Sequence, residues 1–229
     1  MGILDNLENS LDDNLSLKHE NLSTKLFSEF ACNDCISNSS KIGEYRRQIE
    51  EARLSNRAVS LKGFMKKEFL PDWQEFIEHV TYGTKENDPI YVNSEFKKPV
   101  KGIAHFWGDL SIVVGKVQDH HFKHLKQYYK TLSDLYESDI VDFASITCFS
   151  DIDAGATTKH HDDGDVFNLQ CIGKVKWEIW DEPEYSQRPP DQVFYQDPGD
   201  IIYVPAYVFH RVTSLTPRAS LLFGFNQKQ

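Results

Sequence analysis

No stretch of this 229-residue chain approaches eighteen consecutive apolar residues, and Met1-Gly2-Ile3-Leu4-Asp5-Asn6-Leu7-Glu8 has no cationic stretch leading into an apolar run. Neither a membrane span nor a secretory leader is therefore expected, and a soluble, cytoplasmic or otherwise intracellular protein is. Cysteine is scarce: Cys32, Cys35, Cys148 and Cys171 are too few for a disulfide framework in a protein of this length. Cys32-Asn33-Asp34-Cys35 has the spacing of half a zinc site or a redox pair, but no second Cys-x-x-Cys completes it, so structural or incidental thiols are expected. Basic residues are also short, 25 Lys plus Arg against 35 Asp plus Glu, for a formal charge of -10. A long nucleic-acid backbone would meet net repulsion, and a cationic or small substrate suits the balance better. The one basic, aromatic-rich run, from His120 to Lys130, could form a local patch, though the wet face of an amphipathic helix is the plainer reading. Glycine-rich phosphate loops, dinucleotide fingerprints and internal repeats are missing as well.

What the sequence does contain is a core. Hydrophobic residues make up 40% and aromatics 13%, with only nine prolines, which is the composition of a packed protein and not of a disordered one. The length suits one domain with a modest extension. Residues 1–40 are polar and acidic, with Ile3, Leu4, Leu7, Leu11 and Leu15 spaced for short amphipathic helices, and read as an arm, a lid, a dimer contact or a partly disordered leader. Glu44 to Arg57 reads as an exposed helix. Pro71 fits the opening of a second, whose buried stripe is predicted as Trp73, Phe76, Ile77 and Val80. Gly102 to Val117 suggests strand or core segments, and Lys123 to Glu137 is helical by spacing.

From Ile140 the period changes to two. Candidate strands cover 142–150, 166–172, 175–180, 192–195, 200–204, 210–213 and 219–225, separated by Gly, Pro, Asp and Asn. Helices followed by many short strands predict a mainly β fold with N-terminal helices, a jelly roll of the cupin kind, and not a doubly wound parallel sheet.

Within this region two His-x-Asp pairs overlap, in Lys159-His160-His161-Asp162-Asp163. Side chains two apart on a strand share a face, so either His160 with Asp162 or His161 with Asp163 can point inward. Joined by His210 from a later strand, either pair gives a mononuclear iron two imidazoles and one carboxylate, with the opposite positions open.

These residues do not stand alone. Asp165-Val166-Phe167-Asn168-Leu169-Gln170, then Gly173-Lys174-Val175-Lys176-Trp177, then Pro198-Gly199-Asp200-Ile201-Ile202-Tyr203-Val204-Pro205, then His210 follow in that order. Over roughly residues 140–225 the sequence resembles the JmjC-like cupin iron(II) and 2-oxoglutarate hydroxylases, nearest the ribosomal-oxygenase branch. The resemblance implies a double-stranded β-helix and a single domain over 41–229, with a helical N-terminal part and a catalytic barrel core at about 140–225. In that family the first ligand stands five residues before the aspartate of the Asp-Val-Phe stretch. This implies His160, Asp162 and His210 as metal ligands and catalytic centre, with His161 and Asp163 turned outward.

It further implies iron(II), 2-oxoglutarate and molecular oxygen as reactants, and hydroxylation of a C–H bond in a small molecule, a free amino acid, or a residue of a peptide or protein. The cosubstrate's distal carboxylate needs a fixed cation. Relatives usually place a lysine or arginine where this sequence has Val175, so the expected anchor moves to Arg218, whose Arg218-Ala219-Ser220 resembles the Arg-x-Ser of other such enzymes. Thr157, three residues before the first ligand, and Tyr203 are further candidates beside the cosubstrate. A homodimer is an added expectation. The alternatives are a metal-dependent cupin dioxygenase or isomerase that does not use 2-oxoglutarate, which Val175 favours, and a noncatalytic cupin binding protein.

Overall fold

The computed structural model describes residues 35–86, 90–92, 95–96, 111–115, 124–148, 159–181 and 188–226. The leader to residue 34, the start of the basic run at 120–123 and Thr157 lie outside the described residues. In sequence order come α1 (Ile42–Leu54), β1 (Val59–Leu61), α2 (Trp73–Glu86), β2 (Ile90–Val92), β3 (Glu95–Phe96), β4 (Ser111–Val114) and α3 (Leu125–Tyr136). Then follow β5 (Ile140–Cys148), β6 (Asp165–Ile172), β7 (Val175–Trp180), β8 (Gln192–Gln196), β9 (Ile201–Val204), β10 (Phe209–Ser214) and β11 (Arg218–Phe225). The fold is mainly β-sheet preceded by helices, in a cupin-like arrangement.

Each helix forms for local reasons. In α1, Tyr45, Ile49 and Ala52 are buried at helical spacing while Arg47 and Glu51 pair on the wet side at 2.7 Å. At the start of α2 a capping box closes on itself: the Glu75 N–H donates to Asp72 Oδ1 at 3.0 Å, and the Asp72 N–H donates to Glu75 Oε2 at 3.2 Å. Phe76 and Val80 form the dry stripe of α2, but Ile77 is 38% exposed. That corrects the predicted stripe: residue 77 sits about 100° round the helix from Phe76. Helix α3 buries Tyr128, Leu132, Leu135 and Tyr136 and leaves Lys126 exposed, so from Leu125 onward the basic run is a helix with one wet face.

Two sheets hold the rest. One has eight strands in the order β1-β9-β6-β11-β5-β4-β2-β3, the other three in the order β10-β7-β8. Ile202 and Val204 of the large sheet pack in one cluster with Val175, Trp177, Ile179 and Val212 of the small one, so the sheets share a core. On the opposite face of the large sheet, Phe167, Tyr203 and Phe225 meet Tyr136 of α3, while Phe143 meets Tyr129. Phe143, Phe167, Phe223 and Phe225 are fully buried there, each stabilising the fold by roughly 1.5–3 kcal/mol.

A strand covered on both faces cannot show alternation. β6 is buried from Asp165 to Cys171, whereas the less covered β8 alternates. Cys35 and Cys171 are buried free thiols, and burial pushes the Cys171 thiol up. Among the described residues no helix is long and apolar enough to cross a membrane.

Two glycines are dictated by close approach. Gly173, in the β6–β7 turn, has φ +73, and a Cβ there would lie 2.1 Å from the Pro217 carbonyl oxygen. Gly199 has φ +96, and a Cβ would lie 2.7 Å from the Met65 carbonyl oxygen.

Candidate metal centre

The segment before β6 runs extended beside the start of β10. His160 and His210 exchange both backbone hydrogen bonds, His160 N–H to His210 O at 3.0 Å and His210 N–H to His160 O at 2.7 Å. Directly opposed residues in an antiparallel bridge project to the same face, and the two rings lie 4.4 Å apart between centroids. Asp162, two residues beyond His160, returns to that face, with its Oδ2 3.5 Å from His210 Nε2. One ligand atom from each of the three lies within 4.8 Å of the other two.

The donor set suits a transition metal. His210 is buried, and its Nδ1–H donates to the Val208 carbonyl at 3.0 Å, which leaves Nε2 as the lone-pair atom facing Asp162. Burial, with His160 adding to it, pushes the His210 pKa down to about 4 against the opposing pull of Asp162, so the ring is neutral and able to ligate at neutral pH. His160 and Asp162 are only partly buried, which opens the centre to solvent on their side. Trp177 flanks it, 5.5 Å from the His210 ring. His161 and Asp163 turn the other way: His161 packs edge-on against Phe209, and Asp163 is 91% exposed.

Arg218 opens β11 and is 1% exposed. Its Nε donates to Ser214 Oγ at 3.0 Å and a terminal nitrogen donates to Ser220 Oγ at 3.2 Å. Among the described residues it has no carboxylate partner. Two of its five N–H groups are thus occupied, and the cation lies in the interior with donors to spare. The register puts it beside the departure from the family pattern: Ser214 on β10 pairs with Val175 on β7, and Val175 is fully buried. Asn168 Oδ1 and Trp177 Nε1 are buried with no hydrogen-bond partner among the described residues. A buried cation with donors to spare fits an anionic, oxygen-rich ligand.

Tyr203 is not brought to the centre. Its neighbours in sequence, Ile202 and Val204, face the small sheet, so its own side chain faces α3, where its hydroxyl donates to Asp165 Oδ2 at 2.7 Å. Sequence reasoning passes over two residues. Ser214 is signalled only by its spacing, since 210, 212 and 214 alternate onto one face. Asp165 stands in the sequence as the aspartate of the Asp-Val-Phe stretch, but nothing there signals that its carboxylate is buried.

Comparison with known proteins agrees with this architecture. Residues 120–229 match the JmjC domain family. The ribosomal oxygenase YcfD from Escherichia coli, solved with cobalt and succinic acid, is 18% identical, with a TM-score of 0.59 over 76% of this chain and 49% of that one. The same protein with cobalt and 2-oxoglutarate gives 18% identity and a TM-score of 0.58 over the same shares. A further structure of it gives 19% and 0.58. No curated protein matches the sequence. The chain spans about half the length of the solved structures it matches, and at such identity the likeness concerns the fold. From residue 120 onward the chain thus matches the JmjC domain family, and its fold is similar to that of the ribosomal oxygenase.

Proposed function

We propose that this protein is an iron(II)- and 2-oxoglutarate-dependent dioxygenase that hydroxylates an amino-acid, peptide or small-molecule C–H bond. The observation that carries this reading is the pairing of a two-histidine, one-aspartate face with a buried guanidinium that meets no carboxylate among the described residues. His160, Asp162 and His210 would hold iron(II), and Arg218, steadied by Ser214 and Ser220, would take the distal carboxylate of 2-oxoglutarate. Such a centre supplies oxidative decarboxylation of the keto acid to succinate and carbon dioxide, coupled to insertion of an oxygen atom into the substrate.

The remaining work belongs to the protein. The Val208 carbonyl holds the His210 tautomer, Trp177 and the apolar core keep bulk water from the inner side, and the half-open side at His160 and Asp162 receives the substrate. The domain proposed is 41–229, closed around its core as a double-stranded β-helix at about 140–225, with residues 1–40 as an arm or lid and a homodimer as the assembly. YcfD's description as a ribosomal oxygenase favours a peptide or protein residue as substrate, and the charge of -10 disfavours nucleic acid. A soluble, cytoplasmic setting is proposed with it.

Val175 supports a second reading, a metal-dependent cupin that does not use 2-oxoglutarate. Anaerobic titration with iron(II) and 2-oxoglutarate separates the two. The visible metal-to-cosubstrate band should form in the wild type and be lost in both His160→Ala and Arg218→Ala, and aerobic turnover should give succinate with oxygen uptake. Iron binding with no band would favour the second reading.

A further inference from the structure

One short turn carries both halves of the metal face. Residues 205–208 separate β9 from β10, and the backbone of this turn touches each ligand in order: the Tyr207 N–H donates to the Asp162 carbonyl at 2.8 Å, and the Val208 carbonyl accepts from His210 Nδ1 at 3.0 Å. The turn closes on itself through the Val208 N–H and the Pro205 carbonyl at 3.3 Å, with Tyr207 in the left-handed region at φ 63. For a tyrosine that conformation is uncommon and has to be held by its surroundings.

Asp165 bonds the residue before that tyrosine. Fully buried, it accepts the Ala206 N–H on Oδ1 at 2.8 Å, while its Oδ2 accepts the hydroxyls of Tyr203, at 2.7 Å, and of Tyr136. A carboxylate with three donors cannot shift without breaking a charge-assisted bond. It is tied at one end to α3 and β9 and at the other to the turn. It also follows Asp162 by three residues, so the same short segment supplies a ligand and its brace.

We propose that Asp165 is a positioning residue for the metal centre. Through Ala206 it sets the height of the 205–208 turn, and the turn in turn sets the spacing between the Asp162 carboxylate and the His210 imidazole. This rests on the metal-binding reading above and adds to it a residue that touches neither metal nor cosubstrate. Loss of an outer partner of this kind lowers metal affinity by about 10- to 100-fold.

The test uses the full-length protein and cobalt(II) alone as probe, reading affinity and the visible ligand-field spectrum beside the melting temperature of the metal-free protein. Asp165→Ala should weaken cobalt binding by about 10- to 100-fold and alter the spectrum. Asp165→Asn, whose carbonyl can still accept the Ala206 N–H while its amide turns to the tyrosine hydroxyl oxygens, should recover most of the affinity. Asp200→Ala is the control. Asp200 is another buried carboxylate, just before β9, accepting from Gly63, Asp197 and Lys62 and hydrogen-bonded to none of residues 205–208. It should lower the melting temperature and leave cobalt affinity in place.

Should Asp165→Ala fail to fold, Ala206→Pro carries the same test. Proline has no N–H to give Asp165, and its ring Cδ would stand where that N–H now lies and would lift the turn away. Wild-type affinity and spectrum in Asp165→Ala or in Ala206→Pro would overturn the proposal, as would Asp165→Asn behaving no better than Asp165→Ala. A wild type that binds no cobalt would instead overturn the metal reading on which the proposal stands.

Discussion

Removing a cation from the interior of a protein, where two hydroxyls are its partners among the described residues, should have opposite effects on the folded state and on 2-oxoglutarate binding. Arg218→Met takes away a desolvated charge, so the ligand-free protein should melt no lower than the wild type. Its affinity for 2-oxoglutarate in the presence of metal should fall on the order of 100-fold, about 3 kcal/mol, by calorimetric titration. Arg218→Lys should fall between the two, because a point charge replaces a fork.

His210 makes a second single-residue prediction. Its pKa in the folded protein is down to about 4, while histidine in the unfolded state titrates near 6.5. Between those values the unfolded state binds more protons, so stability falls as the pH drops from about 6.5 to 4 and returns as the pH is raised. Thermal melts of the metal-free protein across that window should show the slope, and His210→Asn should flatten it.

At the level of elements, neighbouring strands can exchange a function that side-chain identity would assign to one of them. β7 carries Val175 where the family resemblance implies a cation, and β10 pairs Ser214 against it, with Arg218 of β11 bonded to that serine. Val175→Lys placed in Arg218→Met should therefore restore part of the 2-oxoglutarate affinity lost in the single variant. Val175→Lys alone should destabilise the protein by about 3 kcal/mol, since it puts two unpaired cations and extra bulk into one core. A calorimetric comparison of the three variants checks both statements.

The Pro198-Gly199 turn entering β9 is a purely structural element. Gly199→Ala should cost about 1–3 kcal/mol in a denaturant melt, because φ is positive and the Met65 carbonyl occupies the space of the new methyl. Strand positions are legible in the sequence wherever turn residues bound them, as at β7 and β11. Alternation within β6 is not, because helix α3 covers one face of that sheet and the small sheet the other, so both faces are apolar or internally bonded.

Across the whole molecule, a ligand that binds only the folded state raises stability by mass action. Cobalt(II) and 2-oxoglutarate, each at about 100 times its dissociation constant, should each add about 2.7 kcal/mol, read as a shift in melting temperature. The shift from 2-oxoglutarate should vanish in Arg218→Met while the shift from metal alone remains.

Residue type, spacing and alternation are local properties, and they determined the three helices, the run of strands from β5 onward, the two competing His-x-Asp registers and the histidine that joins them. Tertiary structure decided what depends on contacts between distant segments. It turned His160 and Asp162 toward His210 through a backbone bridge fifty residues apart in sequence, sent Tyr203 to the helix side, and placed Arg218 beside Val175. It also recruited Asp165 to brace the turn. None of these is encoded by spacing, since each is fixed by which face of a sheet is covered and by which buried donor finds an acceptor.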